Sequence, residues 1–350
     1  MSAHPSSAAP SRHASSGGAA GSPSEAAKPV LAIHGGAGTI LRSRMSGVME
    51  AAYRAELAKI LADGERQLAR GDAALDVAIE AVRRLEECEL FNAGKGAVYT
   101  ADERHELDAS VMDGPTRRAG AVAGVTRVRN PVLAARAVME HSGHVMLIGP
   151  AADTFAFEQQ LERVEPGWFG TPQRLAQLRV AQASASGQVL DHDGQTLAAA
   201  AATPEAPLDE RTKFGTVGAV VRDAQGRLAA ATSTGGMTNK RSGRVGDSPI
   251  LGAGCYADAR VAVSCTGTGE AFMRLAAAHE ISALMRLAGQ PLEAACRRVV
   301  FEELPVVGGE GGLIAVDDQG GVWLGFNTEG MYRGWVEAGG TPAVGIYKDE

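Results

Sequence analysis

From about Ala183 to Lys213 the chain loses its periodicity, and Ser, Gly, Gln, Asp, Thr, Pro and Ala dominate for about 30 residues. A structureless loop of that length inside a compact domain is usually functional or disordered. On each side of it lie strand-like runs and a pair of helical stretches, without regular βαβ alternation. That arrangement predicts sheets packed on one another with helices outside, and it disfavours a doubly wound parallel sheet. The linker ends at Gly215-Thr216, at the mouth of the apolar run Val217-Gly218-Ala219-Val220-Val221.

Two readings of that dipeptide stand side by side. In one it simply starts a strand, because glycine relieves the turn and β-branched residues suit a pleated surface. In the other the bond breaks and Thr216 becomes an N-terminus that carries a hydroxyl and an α-amine together. That pair is a nucleophile with its own general base. An α-amine titrates near ~7.7–8.0, so much of it is basic at neutral pH.

A chain of 350 residues buries about three quarters of its unfolded surface, enough for a sizeable core. Its 45% hydrophobic and 21% charged content is that of a soluble globular protein. A net charge of −7 points to no nucleic-acid or anionic-membrane partner. Residues 1–28 form a Ser/Ala/Pro/Gly/His tail with few bulky apolar side chains. It lacks the apolar core of a secretory signal, and the composition predicts disorder. No apolar stretch reaches the length of a transmembrane helix. Cys88, Cys255, Cys265 and Cys296 form no C-x-x-C pair, so reduced, mostly buried thiols in a cytoplasmic protein are expected.

Within the two halves, Val30–Ile33 predicts a buried strand that enters the glycine loop His34–Gly38. Helices are predicted from about Ser46 to Leu61 and from near Asp72, the second with Leu75, Ala78, Val82 and Leu85 on one face. Strands follow at 106–113, 119–128 and 145–148, with a helix at Pro131–Glu140 that carries proline in its first turn. Beyond the linker, 216–222 and 228–233 predict a β-hairpin around Asp223–Arg227. Strands at 255–256, 261–266, 312–316, 322–325 and 343–347 accompany one helix at Glu270–Leu287 and another from Pro291.

Several short segments carry chemistry. Ala231-Thr232-Ser233-Thr234-Gly235-Gly236 ends the hairpin in hydroxyls that either solvate a turn or reach the Thr216 nucleophile. Arg244 and Asp247 stand three apart in a glycine loop. They suit the two ends of a zwitterionic amino acid, or one another at the surface. Cys265-Thr266-Gly267-Thr268-Gly269-Glu270 joins a strand to a helix start whose free N–H groups suit an oxyanion. A phosphate loop is the rival there, but no G-x-x-x-x-G-K-[ST] run occurs. His141 and His144 have a metal-ligand spacing without a third ligand nearby, which favours a surface helix end, and His34 reads as structural.

Taken together, seven segments resemble the plant-type asparaginase and isoaspartyl peptidase family of N-terminal-nucleophile hydrolases. They are Ile33 to Thr39 (IHGGAGT), Leu90 to Gly94 (LFNAG), Leu107 to Gly114 (LDASVMDG), Gly215 to Val220 (GTVGAV), Thr232 to Gly236 (TSTGG), Gly243 to Pro249 (GRVGDSP) and Cys265 to Glu270 (CTGTGE). The resemblance spans residues 29 to 347, with the segments in the family's order, and makes cleavage the favoured reading of Gly215-Thr216. It implies an α+β fold, a four-layer αββα sandwich, cut into an α subunit (29–215, with 183–213 as a flexible linker) and a β subunit (216–350). Two such pairs would assemble into an (αβ)2 dimer of heterodimers.

By the same resemblance, Thr216 is the nucleophile and Thr234 bonds to it. Thr266 with the N–H of Gly267 forms the oxyanion hole. Arg244 binds the substrate α-carboxylate, Asp247 and the Gly269 carbonyl hold its α-amine, and Asn92 lines the site. Backbone carbonyls of Leu85, Glu86, Cys88, Phe91, Ala93 and Lys95 would hold a structural sodium ion, and no cofactor would serve catalysis. The implied substrates are L-asparagine and β-aspartyl dipeptides, the dipeptides being preferred because the aspartyl-holding groups leave the amine side open. Phe214 departs from the histidine or polar residue common before the glycine, which implies an altered maturation rate. A glycosylasparaginase-like amidase and an uncut amino-acid-binding relative are the alternatives.

Overall fold

The computed structural model describes residues 28–183 and 215–350; the N-terminal tail, the linker and Phe214 lie outside the described residues. The strands are β1 (Val30–Gly38), β2 (Leu107–Asp113), β3 (Ala119–Val125), β4 (Met146–Ile148), β5 (Val217–Arg222), β6 (Leu228–Thr234), β7 (Cys255–Ala257), β8 (Val261–Gly267), β9 (Gly311–Asp317), β10 (Val322–Phe326), β11 (Gly330–Glu337) and β12 (Ala343–Tyr347). Eight of them form one sheet in the order β12-β11-β1-β5-β6-β2-β3-β4, and four form a second in the order β10-β9-β8-β7. The main helices are α1 (Gly47–Arg70), α2 (Ala74–Glu86), α3 (Pro131–His141), α4 (Gly149–Glu158), α5 (Pro172–Ala183), α6 (Gly269–Leu275), α7 (Ala277–Leu287) and α8 (Leu292–Arg297), the last continued by a π-helical stretch at Arg298–Glu303 and a short turn at Leu304–Val306.

Strand periodicity sorts the side chains between two cores. Leu31 and Ile33 of β1, Val217, Ala219 and Val221 of β5, and Ala229 and Ala231 of β6 join the core beneath α1, α2 and α3. Their alternate neighbours Val30, Ala32, Val220, Leu228 and Ala230 pack instead with β8, β9 and the helices α6 to α8. The large sheet is thus buried on both faces, so its strands read as continuous apolar runs. Helices, large sheet, small sheet and helices stack as four layers, and the expected αββα sandwich is the observed one. The facing surfaces of the two sheets contribute alanines to one core, among them Ala32, Ala230, Ala262 and Ala315.

Local sequence accounts for most elements. Ser46 caps α1 by accepting from Met49 N at 3.3 Å, and Gly71 closes that helix at φ +85°. Asp223 organises the predicted hairpin turn: its carboxylate accepts from the N–H groups of Gln225 and Arg227. It also caps α2 through Ala74 N at 3.0 Å, tying the hairpin to the N-terminal half.

Four expectations change. Helix α1 runs on to Arg70 rather than ending at Leu61, because Gly64 is a close-packing position, where a Cβ would run into the Leu31 side chain. The single helix expected over Glu270–Leu287 breaks at Ala276, in the left-handed region at φ 50°. There the N–H groups of Ala278 and His279 turn to the carbonyls of Ala253 and Gly252. Strand β11 gave no clear apolar pattern because Arg333 sits inside it, buried, with its guanidinium on the carbonyls of Met331, Tyr347 and Glu350. Helices α4 and α5 were not predicted either. All four thiols are free, three of them buried as expected, and no described helix is long and apolar enough to cross a membrane.

Candidate active site

The sheet register delivers the hydroxyls. Residues Val217 and Ser233 are opposite in the β5–β6 hairpin, so Thr216 enters one step before the pairing and Thr234 leaves one step after it. Thr234 in turn faces Asp108 on β2. Strand β8 of the second sheet brings Thr266 and Gly267 to the same end. The loop after β6 supplies Arg244, Gly246, Asp247 and Ser248, which surround a cavity with Gly215, Thr216, Thr234 and Gly267.

Thr216 is buried, and its Oγ1 lies 3.1 Å from Ser248 Oγ. Gly215 sits at φ +120°, a conformation that favours glycine. A Cβ there would also run into Gly36 Cα and stand 3.0 Å from Thr266 Oγ1. The glycine-rich end of β1, expected as a loop over His34–Gly38 but paired as strand through Gly38, therefore presses against the residue before Thr216. Thr266 Oγ1 accepts from Ala37 N at 3.2 Å in that same stretch.

Behind Thr216 lies a buried polar chain. His34 Nε2 is 2.9 Å from Ser264 Oγ, which is 2.7 Å from Thr232 Oγ1. Burial drives the His34 pKa down to about 3, opposed in part by the nearby Thr216 backbone. The imidazole is therefore neutral, and its Nε2 meets Ser264 of β8.

The charges beside Thr216 have the signs a zwitterion needs. Arg244 is mostly buried and Asp247 fully so. Asp247 Oδ2 has no hydrogen-bond partner among the described residues. Burial raises its pKa to about 7, with Arg244 pulling it back. Arg244 also lines a neighbouring cleft of about 730 Å3 bounded by Tyr99, His105, Ile148 and Pro150. Thr216, Thr234, Asp247 and Gly267 gather in the smaller cavity, not in this larger one.

A sequence model of the family described as Asparaginase matches residues 27–346. The chain belongs to the asparaginase family. Its sandwich is that of N-terminal-nucleophile hydrolases, and the family is one of hydrolases. A protein of Salmonella typhimurium named isoaspartyl peptidase is 60% identical over 92% of this chain and 99% of its own length. An isoaspartyl peptidase of Escherichia coli is 59% identical over 92% of this chain and 97% of its own. A plant-type L-asparaginase of Pyrococcus abyssi is 36% identical over 90% and 99%.

Against the roles implied by this family, the geometry adds detail. Thr216 pairs with Ser248, a residue quoted in the GRVGDSP run but given no role there. Thr234 Oγ1 instead accepts from Gly236 N at 3.0 Å. Asn92 stands behind the cavity: its Nδ2 donates to Gly236 O at 2.7 Å and its Oδ1 accepts from Val98 N at 2.9 Å. It buttresses the Gly235-Gly236 turn, where a Cβ on Gly235 would stand 2.5 Å from Asn92 Oδ1. Gly269 opens α6 wedged between Arg244 and Asp247: a Cβ there would lie 2.9 Å from Arg244 Nη2 and 2.9 Å from Asp247 Oδ1. Sequence reasoning also missed Lys240, buried with its Nζ donating to Glu106 O at 2.7 Å. Burial lowers its pKa, and Asp108 opposes that shift. His141 ends α3 beside Glu140, and no cluster of His, Cys, Asp and Glu suited to a metal occurs among the described residues.

The Leu85–Lys95 loop offers oxygen donors. Gly94 and Gly96 adopt φ +50° and +92°, and a Cβ on either would meet the carbonyl oxygens of Glu86, or of Glu89 and Phe91. A cradle of neutral carbonyls is a hard-cation donor set. Glu86 O and Cys88 O each already accept one backbone N–H, which leaves each a second lone pair.

Proposed function

We propose that this chain is a self-cleaving threonine hydrolase that releases L-aspartate from β-aspartyl dipeptides and L-asparagine. The observation that carries the reading is the buried hydroxyl of Thr216 in a cavity whose walls include Arg244 and Asp247, a carboxylate with one oxygen unpartnered among the described residues. A guanidinium and a carboxylate set beside a nucleophile form a frame for an amino-acid head, and the side-chain carbonyl is then what the nucleophile reaches. The names of the Salmonella and Pyrococcus relatives support the same chemistry.

Maturation comes first in this scheme. With Gly215 in place the cavity holds about 10 Å3, room for about one water. Thr216 Oγ attacks the Gly215 carbonyl, the C–N bond breaks as the ester forms, and water hydrolyses that ester. Gly215 leaves with a new carboxylate, Thr216 gains a free α-amine, and the space Gly215 occupied becomes available to substrate. Residues 29–215 and 216–350 are then the two subunits, in an (αβ)2 assembly.

In turnover the α-amine takes the Thr216 Oγ proton as the oxygen attacks the substrate side-chain carbonyl. Thr266 Oγ1 and the Gly267 N–H hold the oxyanion, each such donor being worth about 3 kcal/mol. The amine leaves with the proton returned to it, and water cleaves the β-aspartyl ester on Thr216. Meanwhile Arg244 binds the α-carboxylate, and Asp247 with the Gly269 carbonyl binds the α-amine. A sodium ion on carbonyls of the Leu85–Lys95 loop would serve structure alone, by stiffening the loop that carries Asn92.

Intact mass spectrometry after incubation at neutral pH tests the scheme. The expected result is two chains whose masses place the cut between Gly215 and Thr216, with neither cleavage nor hydrolysis in Thr216→Ala. A single stable wild-type chain that binds L-aspartate without turnover would replace the enzyme with an amino-acid-binding protein.

A further inference from the structure

Arg244 is gripped along one edge. Its Nε and Nη2 donate to Oε1 and Oε2 of Glu270, both at 2.9 Å, a planar two-point fork. The opposite edge points elsewhere: a Cβ on Gly246 would stand 2.8 Å from Nη1 and 3.3 Å from Nη2, and one on Gly269 would stand 2.9 Å from Nη2. Gly246 lines the catalytic cavity. Two residues without side chains thus leave space along the Nη1–Nη2 edge, while Glu270 fills the Nε–Nη2 edge.

The two partners differ in exposure. The Arg244 side chain is 17% exposed and that of Glu270 is 51%. A half-exposed ion pair contributes little to stability, so the fork's main consequence is geometric. A guanidinium has five N–H donors in a fixed plane, and fixing one edge with a carboxylate decides where the other must face. Glu270 is itself placed by the first turn of α6, directly after the Thr266–Gly269 segment.

We propose that Glu270 is a positioning residue that holds Arg244 by its Nε–Nη2 edge and turns the Nη1–Nη2 edge toward the substrate α-carboxylate. This rests on the hydrolase reading above for the identity of the substrate. Without Glu270 the long Arg244 side chain recovers rotamers, and ordering them again is charged to binding. The loss is confined to ligands that carry an α-carboxylate.

The test compares wild type, Glu270→Ala and Glu270→Gln, with β-Asp-Leu as substrate and two product-like inhibitors. L-Aspartate carries the α-carboxylate; β-alanine is the same molecule without it. In Glu270→Ala, KM and the L-aspartate inhibition constant should each rise about tenfold, with kcat within about threefold. Inhibition by β-alanine and self-cleavage at Gly215-Thr216 should be unchanged. Glu270→Gln keeps one acceptor and should fall between. Equal weakening of both inhibitors would reduce Glu270 to a structural role, and an unchanged or lower KM would overturn the proposal. Calorimetric binding of L-aspartate reads the same effect in a chain that turns nothing over, so failure of the hydrolase reading stays separate.

Discussion

Asp247 is fully buried with one carboxylate oxygen unpartnered among the described residues. Burial lifts its pKa from 3.8 to about 7, so folding makes it bind its proton more tightly. Its contribution to stability therefore declines as pH rises from about 3.8 to about 7 in the empty site. A bound ammonium reverses that penalty by pairing the anion. L-Aspartate should accordingly raise the melting temperature more at pH 8 than at pH 5.5. Since kcat/KM follows ionisations of the free enzyme, its acid limb on β-Asp-Leu should combine the Thr216 α-amine, at ~7.7–8.0, with Asp247 at about 7. A flat acid limb down to pH 5 would contradict both assignments.

Ala276, between α6 and α7, shows how tertiary contacts reshape an element. Its φ of 50° costs about 1 kcal/mol in a residue with a Cβ. The turn persists because the carbonyls of Gly252 and Ala253 capture the next N–H groups. Ala276→Gly removes the strain, at the expense of a freer unfolded chain. The net expectation is a gain of about 0.5 kcal/mol, read as a higher urea midpoint at unchanged slope. A lowered midpoint would mean that the break is not strained. The same loop, through Gly254, supports Asp247 and Ser248: a Cβ on Gly254 would stand 2.6 Å from the Asp247 carbonyl carbon.

Across the whole molecule, the two halves on either side of Gly215-Thr216 are interleaved rather than adjacent. In the large sheet, β1 of the N-terminal half lies between β11 and β5 of the C-terminal half, and β6 lies against β2. Both cores likewise mix residues from the two halves. Cutting one loop bond breaks none of these ladders. After cleavage the fragments should elute together from a sizing column in plain buffer and separate only in denaturant. Two peaks in buffer alone would contradict the interleaved sheet.

The candidate site residues were legible in short runs because their pattern depends on adjacent residues. A glycine before a threonine, a spaced Arg244 and Asp247, and a glycine-flanked Thr266 are local patterns whose backbone demands appear in one dimension. The hairpin was legible too, since its turn residues and apolar alternation are local. Longer-range choices left no such trace. Helix α1 runs past Leu61 through Gly64, which packs on Leu31, and Arg333 is buried in β11 because three carbonyls receive it. Ser248 and Glu270 were quoted within motifs but had no readable role, because that role lies in what each faces across the fold. Sequence alone therefore pointed to the candidate site residues and the layered sandwich. Only the tertiary structure decided which edge of Arg244 is left open and which hydroxyl meets Thr216, since both depend on contacts between strands and loops far apart in the chain.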